Sequence, residues 1–168
     1  TILPDKSNFS KLKLGFQKDS EGNYTMAFPS VEIEIEGQTI PMLFDTGASA
    51  WPSENAKEVL GVDVDQVATS FIITSIFDKW VEDHPDWVVI DKACTLSQEP
   101  MIRVPSVKLG NRIVGPVWFT KRANRNFHDY MSSMMDRRID GALGGSALQY
   151  IRIIVDYPSE VAYVSNGI

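Results

Sequence analysis

Two carboxylates that share one proton can hydrolyse a peptide bond through an activated water, and Asp45-Thr46-Gly47-Ala48-Ser49 offers one such carboxylate. In that chemistry the ionised member takes a proton from the water as it attacks. The protonated member polarises the carbonyl and then helps the amine to leave. The residues around Asp45 suit the task. Thr46 brings a hydroxyl able to bond across a two-fold axis, and Gly47 permits close backbone approach and a positive φ. Ser49 has a hydroxyl able to donate to the carboxylate from its outer side. Asp-Thr-Gly occurs once in the 168 residues, so a complete site requires two copies of the chain meeting through the same patch.

The elements that must position Asp45 are legible as patterns. Val31, Ile33 and Ile35 alternate with Glu32, Glu34 and Glu36, which predicts a strand with one wet face. Glu36-Gly37-Gln38 turns the chain, and Thr39 to Phe44 returns as a partner strand that ends at Asp45. A first strand is expected over Tyr24 to Phe28, and residues 1–23 read as an arm or edge extension of a domain covering 24–168. Ser53 and Gly61 bracket a helix, and Phe71 to Val81 reads as a strand followed by a helix. Trp87 to Ile90, Met101 to Leu109 and Ile113 to Thr120 read as strands, and Asn126 to Arg138 as a helix. Arg152 to Asp156 and Val161 to Val164 form a last hairpin. Phe127, Tyr130, Met131, Met134 and Met135 are expected to pack in the core rather than to line a peptide groove.

Leu43-Phe44-Asp45-Thr46-Gly47-Ala48-Ser49, taken with Asp140-Gly141-Ala142-Leu143-Gly144-Gly145, resembles the retropepsin-type aspartic peptidases, single-lobe relatives of the pepsins. The resemblance implies an all-β fold with a few helices, a single pepsin-like lobe of closed β-barrel type. It also implies that Ala142-Leu143-Gly144 passes behind the catalytic loop before a short helix at Ser146 to Tyr150. Pro105 to Gly110 and Val114 to Phe119 resemble the strand pair that follows the flap in pepsins. The flap itself maps to Trp87 to Met101, where the tip from Lys92 to Pro100 lacks the family's glycines, and it is expected to be a mobile cover.

Composition narrows the remaining classes. Hydrophobic residues at 43% and charged residues at 23% describe an ordinary folded domain, and no apolar run is long enough to span a bilayer. A net charge of −6 has the wrong sign for a nucleic-acid partner. The cluster Lys121, Arg122, Arg125, Arg137 and Arg138 is interleaved with Asp129, Asp136 and Asp140 and reads as a mixed-charge face. Cys94 is the only cysteine, so no intrachain disulfide or cysteine-based metal site can form, and it reads as an inert side chain. His84 sits at a helix end and His128 has no second ligand in spacing, so neither a metal nor another cofactor is expected. Asp140 lacks a following Thr-Gly and reads as structural. The chain starts at Thr1 rather than Met, which fits removal of an N-terminal signal and export as well as a trimmed terminus, so the compartment stays open.

Two functions follow. The first is a homodimeric aspartic endopeptidase acting on extended peptides, with Asp45 as catalytic residue and Thr46, Gly47 and Ser49 in support. The second is a peptidase-like binding or scaffold module, which the glycine-free flap favours.

Overall fold

The computed structural model describes residues 8–167 and opens with a short strand, β1 (Ser10–Lys13). β2 (Ser30–Ile35) and β3 (Gln38–Phe44) then form the expected hairpin. Val31, Ile33 and Ile35 are buried, while Glu32 points outward. The two loop residues, Glu36 and Gly37, have φ of 51° and 79°, and a two-residue loop with both φ positive matches the twist of the strands it joins. β4 (Ser49–Ala50) leads to α1 (Glu54–Leu60). Ser53 Oγ accepts from the Ala56 amide at 3.3 Å at one end of α1, and Gly61 closes the other in the left-handed region. β5 (Val67–Ala68) pairs with β4. β6 (Ser70–Ile73) runs straight into α2 (Thr74–Asp83), the expected strand-to-helix change, which buries Phe77 and Trp80.

β7 (Val89–Ile90), β8 (Met101–Val104), β9 (Val107–Leu109), β10 (Arg112–Val114) and β11 (Val117–Arg122) follow. The break between β8 and β9 falls at Pro105-Ser106 and that between β10 and β11 at Gly115-Pro116. A proline has no amide to give to a sheet ladder, and this divides the long stretches read from the sequence. The last elements are β12 (Gly141–Leu143), α3 (Gly145–Leu148), β13 (Ile151–Asp156) and β14 (Val161–Asn166).

Nine strands form the main sheet in the order β10-β9-β2-β3-β12-β6-β11-β8-β7, and β1, β14 and β13 form a second sheet of three. β12 lies parallel to β3 and antiparallel to β6, and β6 lies parallel to β11. The fold is mostly β with few helices. Its hydrogen-bonded strand order ends at β10 and β7 and is not seen to close into the barrel expected from the sequence.

Two further expectations change. Tyr24 to Phe28 is not a strand. Thr25 donates to the Gln17 carbonyl at 3.0 Å and Tyr24 bridges Lys18, but no ladder continues from there, and Tyr24, Met26 and Phe28 are exposed. Asn126 to Arg138 is not a regular helix but a π turn (Asn126–Tyr130) followed by a 3-10 turn (Met131–Met134). Ser132 and Ser133 donate their hydroxyls to the carbonyls of Phe127 and Tyr130, a side-chain competition that disfavours a regular α-helix. Residues 1–7 of the expected arm or edge extension lie outside the described residues, and within its remainder β1 is an edge strand of the three-stranded sheet. β1 pairs with β14, and Leu12, Leu14 and Phe16 join Val31, Ile33 and Phe119 in the main core.

Leu14 is 0% exposed, so Leu14→Ala should lower unfolding free energy by about 2–5 kcal/mol in a denaturant titration. A loss near zero would mean that the segment is an appendage.

Candidate active site

β3 delivers Asp45 to a loop whose backbone is held from behind. Ala142 and Leu143 of β12 lie opposite Leu43 and Phe44, and the Asp45 amide donates to the Leu143 carbonyl at 3.0 Å. The Gly47 amide donates to Asp45 Oδ1 at 3.0 Å, and the Ala48 amide to the Asp45 carbonyl at 3.3 Å. Asp45 is half-buried, while Thr46 and Gly47 are exposed. The carboxylate therefore has a fixed inner oxygen and faces open space next to an exposed hydroxyl.

The supporting residues differ in detail from their expected roles. Gly47 does not adopt a positive φ, and a Cβ there would lie 3.5 Å from Asp45 Oδ1, an ordinary contact. Its contribution is its amide. The close approach occurs instead at Gly144, where a Cβ would lie 2.0 Å from the Thr69 carbonyl oxygen and 2.6 Å from Ala48 Cβ. Ser49 is not bonded to Asp45. Its Oγ accepts from Gln66 Nε2 at 2.6 Å. Thr46 has no hydrogen bond to any of the described residues.

Behind the loop lies a set of buried hydroxyls that the sequence reading missed. Ser146 Oγ donates to the Trp118 carbonyl at 2.8 Å, so the 2.9 Å bond between Ser70 and Ser146 has Ser70 as donor. Ser70 Oγ in turn accepts from the Gly144 amide at 3.0 Å. Thr69 Oγ1 donates to the Ser70 carbonyl at 3.0 Å and thus accepts from Thr120 Oγ1 at 2.8 Å. Each hydroxyl is satisfied, which ties β6, β11 and the start of α3 together beneath Asp45. The available signal was polar residues in otherwise apolar strands, which looks the same in a solvated edge.

Asp45 opens into a cleft of about 550 Å³. Apolar side chains from β3, β6 and the segment after β11, among them Leu43, Phe44, Phe71, Phe127 and Met131, line it together with Phe28, Tyr130 and Arg122. The irregular segment after β11 is thus a wall of the cleft as well as core. Phe127 and Met135 are buried with Ile139, whereas Tyr130 is 68% exposed. Asp140 fixes this wall. His128 Nε2 lies 2.7 Å from Asp140 Oδ1, and the Asp140 amide donates to the Pro41 carbonyl at 2.8 Å. His84 caps α2, stacks on Trp87 with centroids 3.9 Å apart, and lies 2.8 Å from Glu36.

The segment expected to be a mobile flap is anchored. Ala93 and Cys94 are buried with Ala50, Ala56, Ile90 and Met101. The Ser53 amide donates to the Ala93 carbonyl at 2.8 Å, and the Thr95 amide to the Trp51 carbonyl at 2.9 Å. Lys92 and the stretch from Thr95 to Gln98 are exposed, and none of residues 92–100 lines the Asp45 cleft. Small residues such as Ala93 and Cys94 carried the burial, which a search for large apolar anchors overlooks.

Compared by sequence, the chain matches no family model and no curated protein. Compared by shape, it is similar to a retropepsin-like aspartic protease from Rickettsia conorii, seen in a crystal structure. The TM-score is 0.53 at 13% identity, over 93% of this chain and 90% of that one. The likeness is one of fold: a mostly β, retropepsin-like architecture. No helix among the described residues is long and apolar enough to cross a membrane.

Two outcomes test this geometry. Gly144→Ala should cost several kcal/mol in unfolding free energy, by forcing Thr69 or Ala48 aside, whereas Gly47→Ala should cost about 1 kcal/mol or less. Equal costs would contradict the packing. Burial pushes the Cys94 thiol above its ordinary pKa, so at neutral pH the reactive thiolate is depleted as well as shielded. Thiol labelling of the folded protein should therefore be slow, quicken as pH rises, and become fast on unfolding. Rapid labelling at neutral pH would show that the 92–100 segment opens freely.

Proposed function

We propose that the chain is an aspartic endopeptidase that acts as a homodimer, with the two Asp45 side chains forming one site. The observation that carries this reading is the Asp45 carboxylate in the lining of a largely apolar cleft. It sits on a loop held by the Leu143 carbonyl and the Gly47 amide, within a retropepsin-like fold. A second copy would bring the partner carboxylate, and two carboxylates in contact hold one proton between them. The ionised one takes the proton of an attacking water and the protonated one polarises the peptide carbonyl. Thr46, exposed and without a hydrogen bond among the described residues, is available to bond across the two-fold axis. Tyr24, Met26 and Phe28 are exposed apolar side chains that meet the cleft through Phe28, a surface suited to burial by the second copy.

The anchored segment 92–100 favours a second reading, a peptide-binding module without turnover, because it leaves the cleft less shielded from water. Cleavage of a peptide library at mildly acidic pH separates the two. The peptidase reading expects cleavage that falls by roughly 10²–10⁴-fold or more in Asp45→Asn, with the fold unchanged by circular dichroism. Specific activity should drop on dilution as half-sites separate, and excess Asp45→Asn subunits should suppress the wild type. Undiminished cleavage by Asp45→Asn, or full activity from a monomer, would overturn it.

A further inference from the structure

Of the basic cluster Lys121, Arg122, Arg125, Arg137 and Arg138, Arg122 is the member that lines the Asp45 cleft; Arg125 and Arg138 have no ion pair among the described residues either, but they do not line it. Lys121 lies 3.5 Å from Asp78, and Arg137 pairs with Glu32 at 2.6 Å and Asp136 at 3.2 Å. Arg122 forms no ion pair among the described residues. Its guanidinium lies over the Phe71 ring, 4.3 Å from the centroid, and lines the same cleft as Asp45 without pairing with it. Both of its hydrogen bonds, to Ser97 Oγ and to the Lys121 carbonyl, are long at 3.4 Å, and both use Nη1. Nε and Nη2, the two donors along one edge of the fork, make none.

An arginine carries its charge throughout the physiological pH range, and its planar edge matches a carboxylate with two parallel hydrogen bonds. The contact with the Phe71 ring and the two Nη1 hydrogen bonds hold the guanidinium in place before any ligand arrives, so less side-chain freedom remains to be lost on binding. The apolar side chains of Leu43, Phe44, Phe127 and Met131 also line the cleft, and a charge pair formed among them is less screened than one in bulk water. A purely apolar substrate side chain would fill the cleft but leave this edge unused.

We infer that the Asp45 cleft takes an acidic side chain of the peptide close to the bond to be cut, and that Arg122 is the specificity-determining residue that recognises it. The inference rests on the peptidase reading for its substrate, a peptide, but not on turnover. Cys94 is buried, does not line the cleft and takes no part.

The test uses peptide pairs that differ only in Glu against Gln at each position flanking the scissile bond. Wild type should favour Glu by roughly tenfold in kcat/KM at one position. Arg122→Gln should bring that ratio close to one by slowing the Glu peptide, and Arg122→Lys, which keeps charge but not the fork, should retain part of it. Arg122→Lys also serves if Arg122→Gln melts early. A wild type that cleaves Glu and Gln peptides equally would overturn the inference while leaving the peptidase reading intact. So would a substitution that slows both peptides alike, the mark of a structural role. The same peptides, fluorescently labelled, are titrated against Asp45→Asn and Asp45→Asn/Arg122→Gln by anisotropy. Tighter binding of the Glu peptide that disappears in the double variant supports the inference even if no cleavage occurs. Equal affinities, or no binding, overturn it.

Discussion

The structure depends on a three-residue strand threaded between two others. β12 has room only because Gly141 and the following Gly144 present no Cβ: one would meet the Phe71 carbonyl oxygen at 2.1 Å, the other that of Thr69 at 2.0 Å. Once there, β12 gives Asp45 its backbone acceptor, the Leu143 carbonyl, and lets β3 and β6 share one sheet. Close packing of this kind has two arrangements, seated or displaced, with little between. The position of the Asp45 carboxylate is therefore set by backbone contacts rather than by its own rotamer alone. The hydroxyls of Ser70 and Ser146 extend the same constraint to α3 by satisfying the amide that the turn at Gly144 exposes.

Most of this frame was legible in the residues. The period-two run from Val31 to Ile35, the Gly37 turn and the Ser53 and Gly61 caps are local signals, and each produced the element it indicates. The change from strand to helix within Phe71 to Val81 was readable because β-branched residues give way to helical spacing. The placement of β12 beside Leu43 and Phe44 is a long-range pairing. It was expected only through resemblance, since nothing local in Gly141-Ala142-Leu143 names its neighbours.

What stayed hidden has a common cause: side chains whose surroundings decide their role. Ala93 and Cys94 are too small to announce an anchor, yet they pin the segment that otherwise reads as a loose hairpin tip. Ser132 and Ser133 look compatible with a helix until their hydroxyls capture nearby carbonyls, and the resulting irregular turn presents Tyr130 and Met131 to the cleft. Proximity in sequence pairs the Ser49 hydroxyl with the Asp45 carboxylate, but in the fold its partner is Gln66, 17 residues on. In the sequence Arg122 reads with four other basic residues as part of a mixed-charge face, and only the fold separates it from them by laying it over Phe71 in the cleft that Asp45 also lines.

The central claim is that Asp45 supplies half of a site that two chains complete. A statine-type peptide inhibitor, which places a hydroxyl between two catalytic carboxylates, reports on this directly by titration calorimetry. The account predicts saturation at one inhibitor for every two chains, with binding coupled to dimer formation and lost in Asp45→Asn. Saturation at one inhibitor per chain on a stable monomer, or binding that survives Asp45→Asn unchanged, would contradict it.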